Sequence, residues 1–109
     1  MPSEEKLRGA TAELIVDLRL FTTNDGGKEH PIRLGWGCPC LLQKDLAEGY
    51  DGWPLLGDNI LNPGDSATVG FVFLSGEEAA SKFRSAGKFY LWEGRLIGEA
   101  TVVQNELEP

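Results

Sequence analysis

The stretch Lys88-Phe89-Tyr90-Leu91-Trp92-Glu93-Gly94-Arg95-Leu96-Ile97-Gly98-Glu99-Ala100-Thr101-Val102-Val103 decides the fold. Two extended runs, Lys88–Trp92 and Arg95–Val103, flank a two-residue connection, Glu93-Gly94, which reads as a β-hairpin. Side chains alternate across a strand, so Phe89 and Leu91 take one face while Tyr90 and Trp92 take the other. At least one aromatic pair is therefore expected outside the core.

Working outward, Leu14, Val16, Leu18 and Leu20 alternate with Glu13, Asp17 and Arg19, with Ile15 as the one apolar exception, and predict a half-buried strand. Asn24-Asp25-Gly26-Gly27 supplies residues that tolerate positive φ and closes a turn, after which the chain extends through Pro31 and Ile32. A strand over Trp36 to Leu42 contains Pro39, which cannot donate to a ladder and so predicts an edge or a bulge. Gln43 to Asn62 reads as a long loop folded onto the sheet, with room for a short strand. Asn62-Pro63-Gly64-Asp65 carries the signature of a type II turn, and a strand over Ala67–Leu74 follows. Ser75-Gly76-Glu77-Glu78 matches a capping box and predicts a short helix over Gly76–Arg84, ended by Gly87.

Composition points the same way. The chain has 109 residues, 41% of them hydrophobic and 25% charged, which suits one domain with one small core. Fourteen Gly, six Pro and ten aromatics are more than a helical bundle needs, and all-β is the expected class. Residues 1–10 read as a flexible, charged leader and 11–109 as the single domain. The net charge of −7 opposes attraction to a phosphate backbone or an anionic membrane. With no run of 18 apolar residues and no apolar core at the N-terminus, neither a membrane span nor a signal peptide is expected, and the chain reads as cytoplasmic.

The turns and strands together resemble the C-terminal β-barrel domain, domain three, of bacterial elongation factor Tu. That family's first hairpin carries a motif close to Gly-Gly-Arg-His-Thr-Pro followed by Gly-Tyr-Arg-Pro. Gly26-Gly27-Lys28-Glu29-His30-Pro31 and Gly35-Trp36 stand here in the same order and similar spacing. The family's Met-Pro-Gly-Asp is similar to Asn62-Pro63-Gly64-Asp65. Its Phe-x-x-Arg-Glu-Gly-Gly-Arg-x-x-Gly is similar to Phe89 through Gly98, with one glycine missing. The three motifs span about residues 11–105. The resemblance implies a closed six-stranded antiparallel barrel, to which the capping signal at Ser75 adds one short helix, and a contact platform rather than an enzyme.

By the same resemblance, Lys28, Tyr90, Trp92, Glu93, Gly94 and Arg95 are the expected binding residues, with Gly26, Gly27, Pro63, Gly64 and Asp65 as structural turns. The family's domain touches the T-stem of aminoacyl-tRNA; its Glu-Gly maps onto Glu93 and Gly94, whereas its Arg-Pro-Gln is replaced by Gly37-Cys38-Pro39. The chain is also a few residues longer than the family between Ala67–Leu74 and Phe89. A protein partner is therefore the expectation, and tRNA is disfavoured by the charge. No Gly-x-x-x-x-Gly-Lys-Ser/Thr loop is present to cradle nucleotide phosphates, so neither nucleotide nor other cofactor is expected.

Other constellations have plainer readings beside their sharper ones. Cys38 and Cys40 are separated only by Pro39; on a strand their Cα atoms lie roughly 6.6 to 7 Å apart, at or beyond the comfortable limit of a disulfide. Free, buried, inert thiols are the plainer reading, and a metal- or redox-responsive role with His30 as a third ligand is the alternative. His30 is the only histidine, and its nearest hydroxyls in sequence are Thr22 and Thr23; a turn-stabilising role is plainer than catalysis. Trp36, Trp53 and Trp92, with Tyr50 and Tyr90, offer either core or a stacking surface.

Overall fold

A computed structural model describes residues 2–45 and 48–103; Met1 of the leader, two positions of the long loop and the end of the domain at 104–109 lie outside the described residues. Six strands, β1 (Leu14–Leu20), β2 (Cys38–Leu41), β3 (Gly49–Leu55), β4 (Ser66–Phe73), β5 (Lys88–Trp92) and β6 (Leu96–Val102), close into an antiparallel barrel in the order β1-β4-β3-β2-β5-β6. The expected barrel is present. Closure runs through β1 and β6, whose register pairs Val16 with Val102 and Leu20 with Gly98, so no long edge is left to template aggregation.

Alternation does what the sequence demands of it. On β1 the even positions Leu14, Val16, Leu18 and Leu20 are buried and the odd ones exposed, including Ile15. On β5, Phe89 and Leu91 enter the barrel while Tyr90 and Trp92 stay half-buried on its outer face. The core is dominated by rings: Phe71 and Phe73 from β4, Phe89 from β5, and Phe83 from α2 (Glu77–Ala86). Phe83 stacks on Phe89 at 4.4 Å between centroids, Phe71 meets Phe89 edge-on at 5.2 Å, and Tyr50 meets Phe83 edge-on at 5.8 Å. Gly52 makes room for this cluster, since a Cβ there would lie 2.8 Å from the Phe73 ring.

Helix α2 therefore plugs one end of the barrel, burying Ala79, Ala80 and Phe83. A clamp outside the plug holds it: Tyr50 Oη donates to Glu48, and Lys82 Nζ donates to the same Glu48 oxygen at 2.8 Å. These bonds from Lys82 and Tyr50 hold the Glu48 carboxyl below its usual range, and the bond to Glu48 pushes the Lys82 ammonium above its own.

Several local expectations are corrected. The helix begins at Glu77 with Gly76 as its N-cap, at φ 63°, and no side chain caps it; Ser75 stands one residue too early for a capping box. Part of the leader forms a one-turn helix, α1 (Glu4–Arg8), capped by the Ser3 hydroxyl accepting from Lys6 N, with Leu7 buried against Leu34 and Trp53. The strand for which the long loop left room is present, and it is a full one, β3, of seven residues. The strand expected over Trp36 to Leu42 shortens to four residues, and Pro39 sits neither on a free edge nor at a bulge in its own strand. It pairs with Asp51 of β3, and on its other side the β2–β5 ladder covers only Cys40 and Leu41. The hairpin connection is Glu93 to Arg95, three residues long, since Trp92 pairs with Leu96, and Ile97 is an extra residue on β6, because Leu91 pairs with Gly98. Freed from that ladder, the Ile97 carbonyl accepts from Phe21 N at 2.9 Å. Gly94 takes φ 74° at the tip.

Truncating the plug tests this account. Phe83→Ala should cost about 3–5 kcal/mol in urea unfolding, the range for a fully buried ring, while far-ultraviolet circular dichroism keeps its β signature. A cost under about 1 kcal/mol would show that α2 is an ornament rather than part of the core.

Candidate functional site

The loop after β1 and the β5–β6 hairpin are more than sixty residues apart in sequence and meet at the barrel end opposite α2. A short 3-10 turn over Thr23–Asp25 shapes the loop. The Thr22 hydroxyl accepts from Asp25 N at 3.1 Å, and the Thr23 hydroxyl donates to the Lys28 carbonyl at 2.9 Å. Both threonines are thus engaged in the turn, and His30 is exposed with its carbonyl accepting from Lys28 Nζ at 2.9 Å.

On this turn the hairpin is latched by three contacts. Arg95 Nη2 donates to the Gly27 carbonyl at 3.2 Å, Lys28 Nζ stands 3.5 Å from Glu93 Oε1, and Trp36 Nε1 donates to Glu93 Oε2 at 3.0 Å. The Lys28 ammonium also lies 5.9 Å from the centre of the Trp36 ring, within cation–π range. The Lys28 side chain is only 12% exposed, so its charge is spent inside this cluster. Of the expected binding residues, Lys28, Glu93 and Arg95 come together here, with Gly94 at the tip. Trp36, read from sequence only as an aromatic, proves to be the donor that orients Glu93.

Tyr90 and Trp92 lie on the outer face of β5 instead. Tyr90 is flanked by Lys44 and Lys88, whose ammonium groups stand 5.4 and 5.7 Å from its ring centre. Across the register from Tyr90, Glu99 pairs with Lys88 at 3.3 Å and with Arg19 at 3.0 Å. Hydrogen bonds from Arg19, then Lys88, hold the Glu99 carboxyl below its usual 4.5. Arg19 in turn lies 5.1 Å over the Phe21 ring. Lys88 was within reach of sequence reasoning, being two residues before Tyr90 on one face; Glu99, Arg19 and Lys44 needed the register and the loop path.

The cysteines face inward from β2 and are both free and buried. Cys40 Sγ lies 3.6 Å from the Cys38 carbonyl, and burial foremost pushes its thiol well up, away from the thiolate that acts as nucleophile or soft-metal ligand. Among the described residues no three His, Cys, Asp or Glu side chains are grouped to hold a metal ion. On the opposite wall a groove of about 410 Å³ runs between α1 and β4, lined by Leu7, Trp53, Val72 and Leu74. The Trp53 indole nitrogen is buried and unpartnered among the described residues. No helix among them is long and apolar enough to cross a membrane.

Compared with protein-family models and with curated proteins, the chain matches none. What the latch and the outer face present chemically is ring faces, ammonium and guanidinium groups, and a carboxylate fixed by Trp36 and Lys28.

Two outcomes follow. Double-mutant cycles of Trp36→Phe with Glu93→Gln should give a coupling of about 0.5–1.5 kcal/mol, as for a hydrogen bond to a partly exposed carboxylate. Because the folded state lowers the Glu99 pKa, its contribution is complete above 4.5 and fades as the pH drops through the lowered value. Glu99→Gln should therefore be less stable than the wild type at neutral pH, with the gap closing in acid; urea titrations at a series of pH values read this directly.

Proposed function

We propose that this chain is a non-enzymatic binding module resembling the C-terminal domain of elongation factor Tu, which engages a protein partner through its last hairpin and the loop latched to it. The observation that carries the reading is the latch itself. Two of the three motifs behind the resemblance, around Gly27-Lys28 and Glu93-Gly94-Arg95, are brought into one contact set by Arg95, Lys28 and Trp36. Turn chemistry alone does not require that meeting. The latch ties the hairpin to the loop after β1, and Tyr90 and Trp92 beside it are aromatic side chains of the kind that carry binding energy in protein interfaces.

Transfer RNA fits less well. Lys28 is turned into Glu93, the cation after Trp36 is absent, and affinity for a phosphate backbone grows with the number of free cationic contacts. The module acts in this reading without nucleotide and without catalysis.

Affinity capture from cell lysate, using wild type and a Trp92→Ala/Glu93→Lys variant, tests the reading. A protein recovered with wild type and lost with the variant is expected. Recovery of aminoacyl-tRNA with wild type, lost with the variant and weakened steeply by salt, would overturn it. So would thermal stabilisation by micromolar GTP, since a ligand of the native state raises stability.

A further inference from the structure

We infer that the barrel opens along the seam between β2 and β5, with β2 and the first half of β3 moving as a flap, and that the Trp36–Glu93 hydrogen bond is the strap across that seam. The opening needs no partner, so it goes beyond the binding-module reading. The ladders differ in length. Those of β1–β4, β1–β6, β2–β3, β3–β4 and β5–β6 each run over four or more residues of both strands, whereas β2 meets β5 only at Cys40–Leu91 and Leu41–Tyr90. Alternate residues of an antiparallel strand turn their backbone groups to opposite neighbours. Leu42 N donates to the Glu48 carbonyl at 3.2 Å, on the β3 side, so Cys40 and Cys38 also serve β3, while Leu41 and Pro39 turn toward β5. Pro39 stands opposite Trp92 in that register and has no N–H to give. One pair, Leu41 with Tyr90, is left to exchange both backbone bonds across the seam.

The flap is hinged on its other side. Strand β2 pairs with Gly49–Gly52 of β3, and the β3–β4 ladder begins only at Gly52, a residue with no side chain; beside it the Asp51 carbonyl accepts from Leu74 N at 2.9 Å, and Glu48 holds Lys82 of α2. Opening at the seam leaves β2 on β3 and β5 on β6, and breaks no other ladder. Two contacts span the seam from outside. Trp36, just before β2, donates through Nε1 to Glu93, just after β5, at 3.0 Å, and Lys44, three residues past β2, holds its ammonium 5.4 Å from the Tyr90 ring centre. Inside, Cys40 and Leu91 are fully buried, so the open form exposes apolar surface and stays a minor state. With so little ladder between the strands, the strap sets how often the seam opens.

Native-state hydrogen exchange of the folded chain, resolved by residue at neutral pH in low urea, tests this. The amides of Leu41 and Tyr90 should exchange at least about tenfold faster than that of Leu18 in β1, at rates that low urea leaves flat, because a local opening exposes little new surface. Trp36→Phe, which removes the donor of the strap, should speed Leu41 and Tyr90 about threefold to tenfold, the range for one lost hydrogen bond. Glu93→Ala, at a side chain 45% exposed, should do the same and serves if the tryptophan variant folds poorly. Glu99→Gln perturbs bonds to Arg19 and Lys88 that stay made in the open form, so it should speed Leu18 and leave Leu41 and Tyr90 as in the wild type. Leu41 and Tyr90 protected as well as Leu18, rates for all three that climb together with urea, no response to either strap variant, or a Glu99→Gln effect as large on Leu41 and Tyr90 as on Leu18 would each overturn the inference.

Discussion

Insertion of Phe83 into the end of the barrel is the contact on which the rest of the structure depends. Six short strands enclose a space that their own inward side chains do not close, and the ring from α2 fills it by stacking on Phe89 and touching Phe73. Burying such a ring contributes about 1.5–3 kcal/mol, with each aromatic pair adding about 0.5–1.5 kcal/mol. These are large terms beside the 5–15 kcal/mol that typically separates a folded domain from its unfolded chain. The same ring fixes the path of the chain, because α2 joins β4 to β5 and sets where β5 enters. From β5 follow the direction of the hairpin, the outward face of Tyr90 and the reach of Glu93 toward Trp36.

The two barrel ends are built by different physics. At the α2 end the seal is apolar and the polar clamp of Glu48, Tyr50 and Lys82 lies outside it, exposed and screened by solvent. At the opposite end, backbone carbonyls and charged side chains hold a loop to a hairpin through Gly27, Lys28, Trp36, Glu93 and Arg95. An apolar seal tolerates little change, since any lost volume leaves a cavity. Polar latches exchange readily with water and with other polar groups, so the proposed recognition is more naturally placed at the second end, where a partner's hydrogen bonds would substitute for existing ones at small cost.

How much of this was legible in the sequence follows from the range of each signal. Period-two alternation is local, so β1 and β5 read correctly down to which face Tyr90 takes, and Asn62-Pro63-Gly64-Asp65 forms its turn with Gly64 at φ 93° and Asp65 N bonded to the Asn62 carbonyl. Strand β3 was hidden because Gly49, Gly52 and Pro54 weaken every strand propensity; its place is set by the close approach of the Phe73 ring to Gly52, a long-range fact. The capping signal at Ser75 was outweighed by the turn that Gly76 makes, its N–H bonding back to the Phe73 carbonyl. The leader read as flexible and charged, yet one buried leucine, Leu7 against Trp53 and Leu34, suffices to seat a helix turn.

The ladder of Arg19, Glu99, Lys88 and Tyr90 was illegible for a different reason. Each residue is unremarkable on its own strand, and only registers joining positions 19 to 99 and 90 to 99 make them neighbours. Past them, toward the hairpin, the β5–β6 register shifts at Ile97. Were β6 to continue the regular ladder to Trp92 without its extra residue, the hairpin end would slip by one position, and a one-residue slip exchanges inner and outer faces. The bulge lets Ile97 stay in the core, gives its carbonyl to Phe21, and frees Arg95 to turn toward Gly27. One irregular residue thus couples the packing of the barrel to the surface it displays. A substitution at Ile97 that shifts the register at the hairpin end would disturb the latch without touching a single polar side chain.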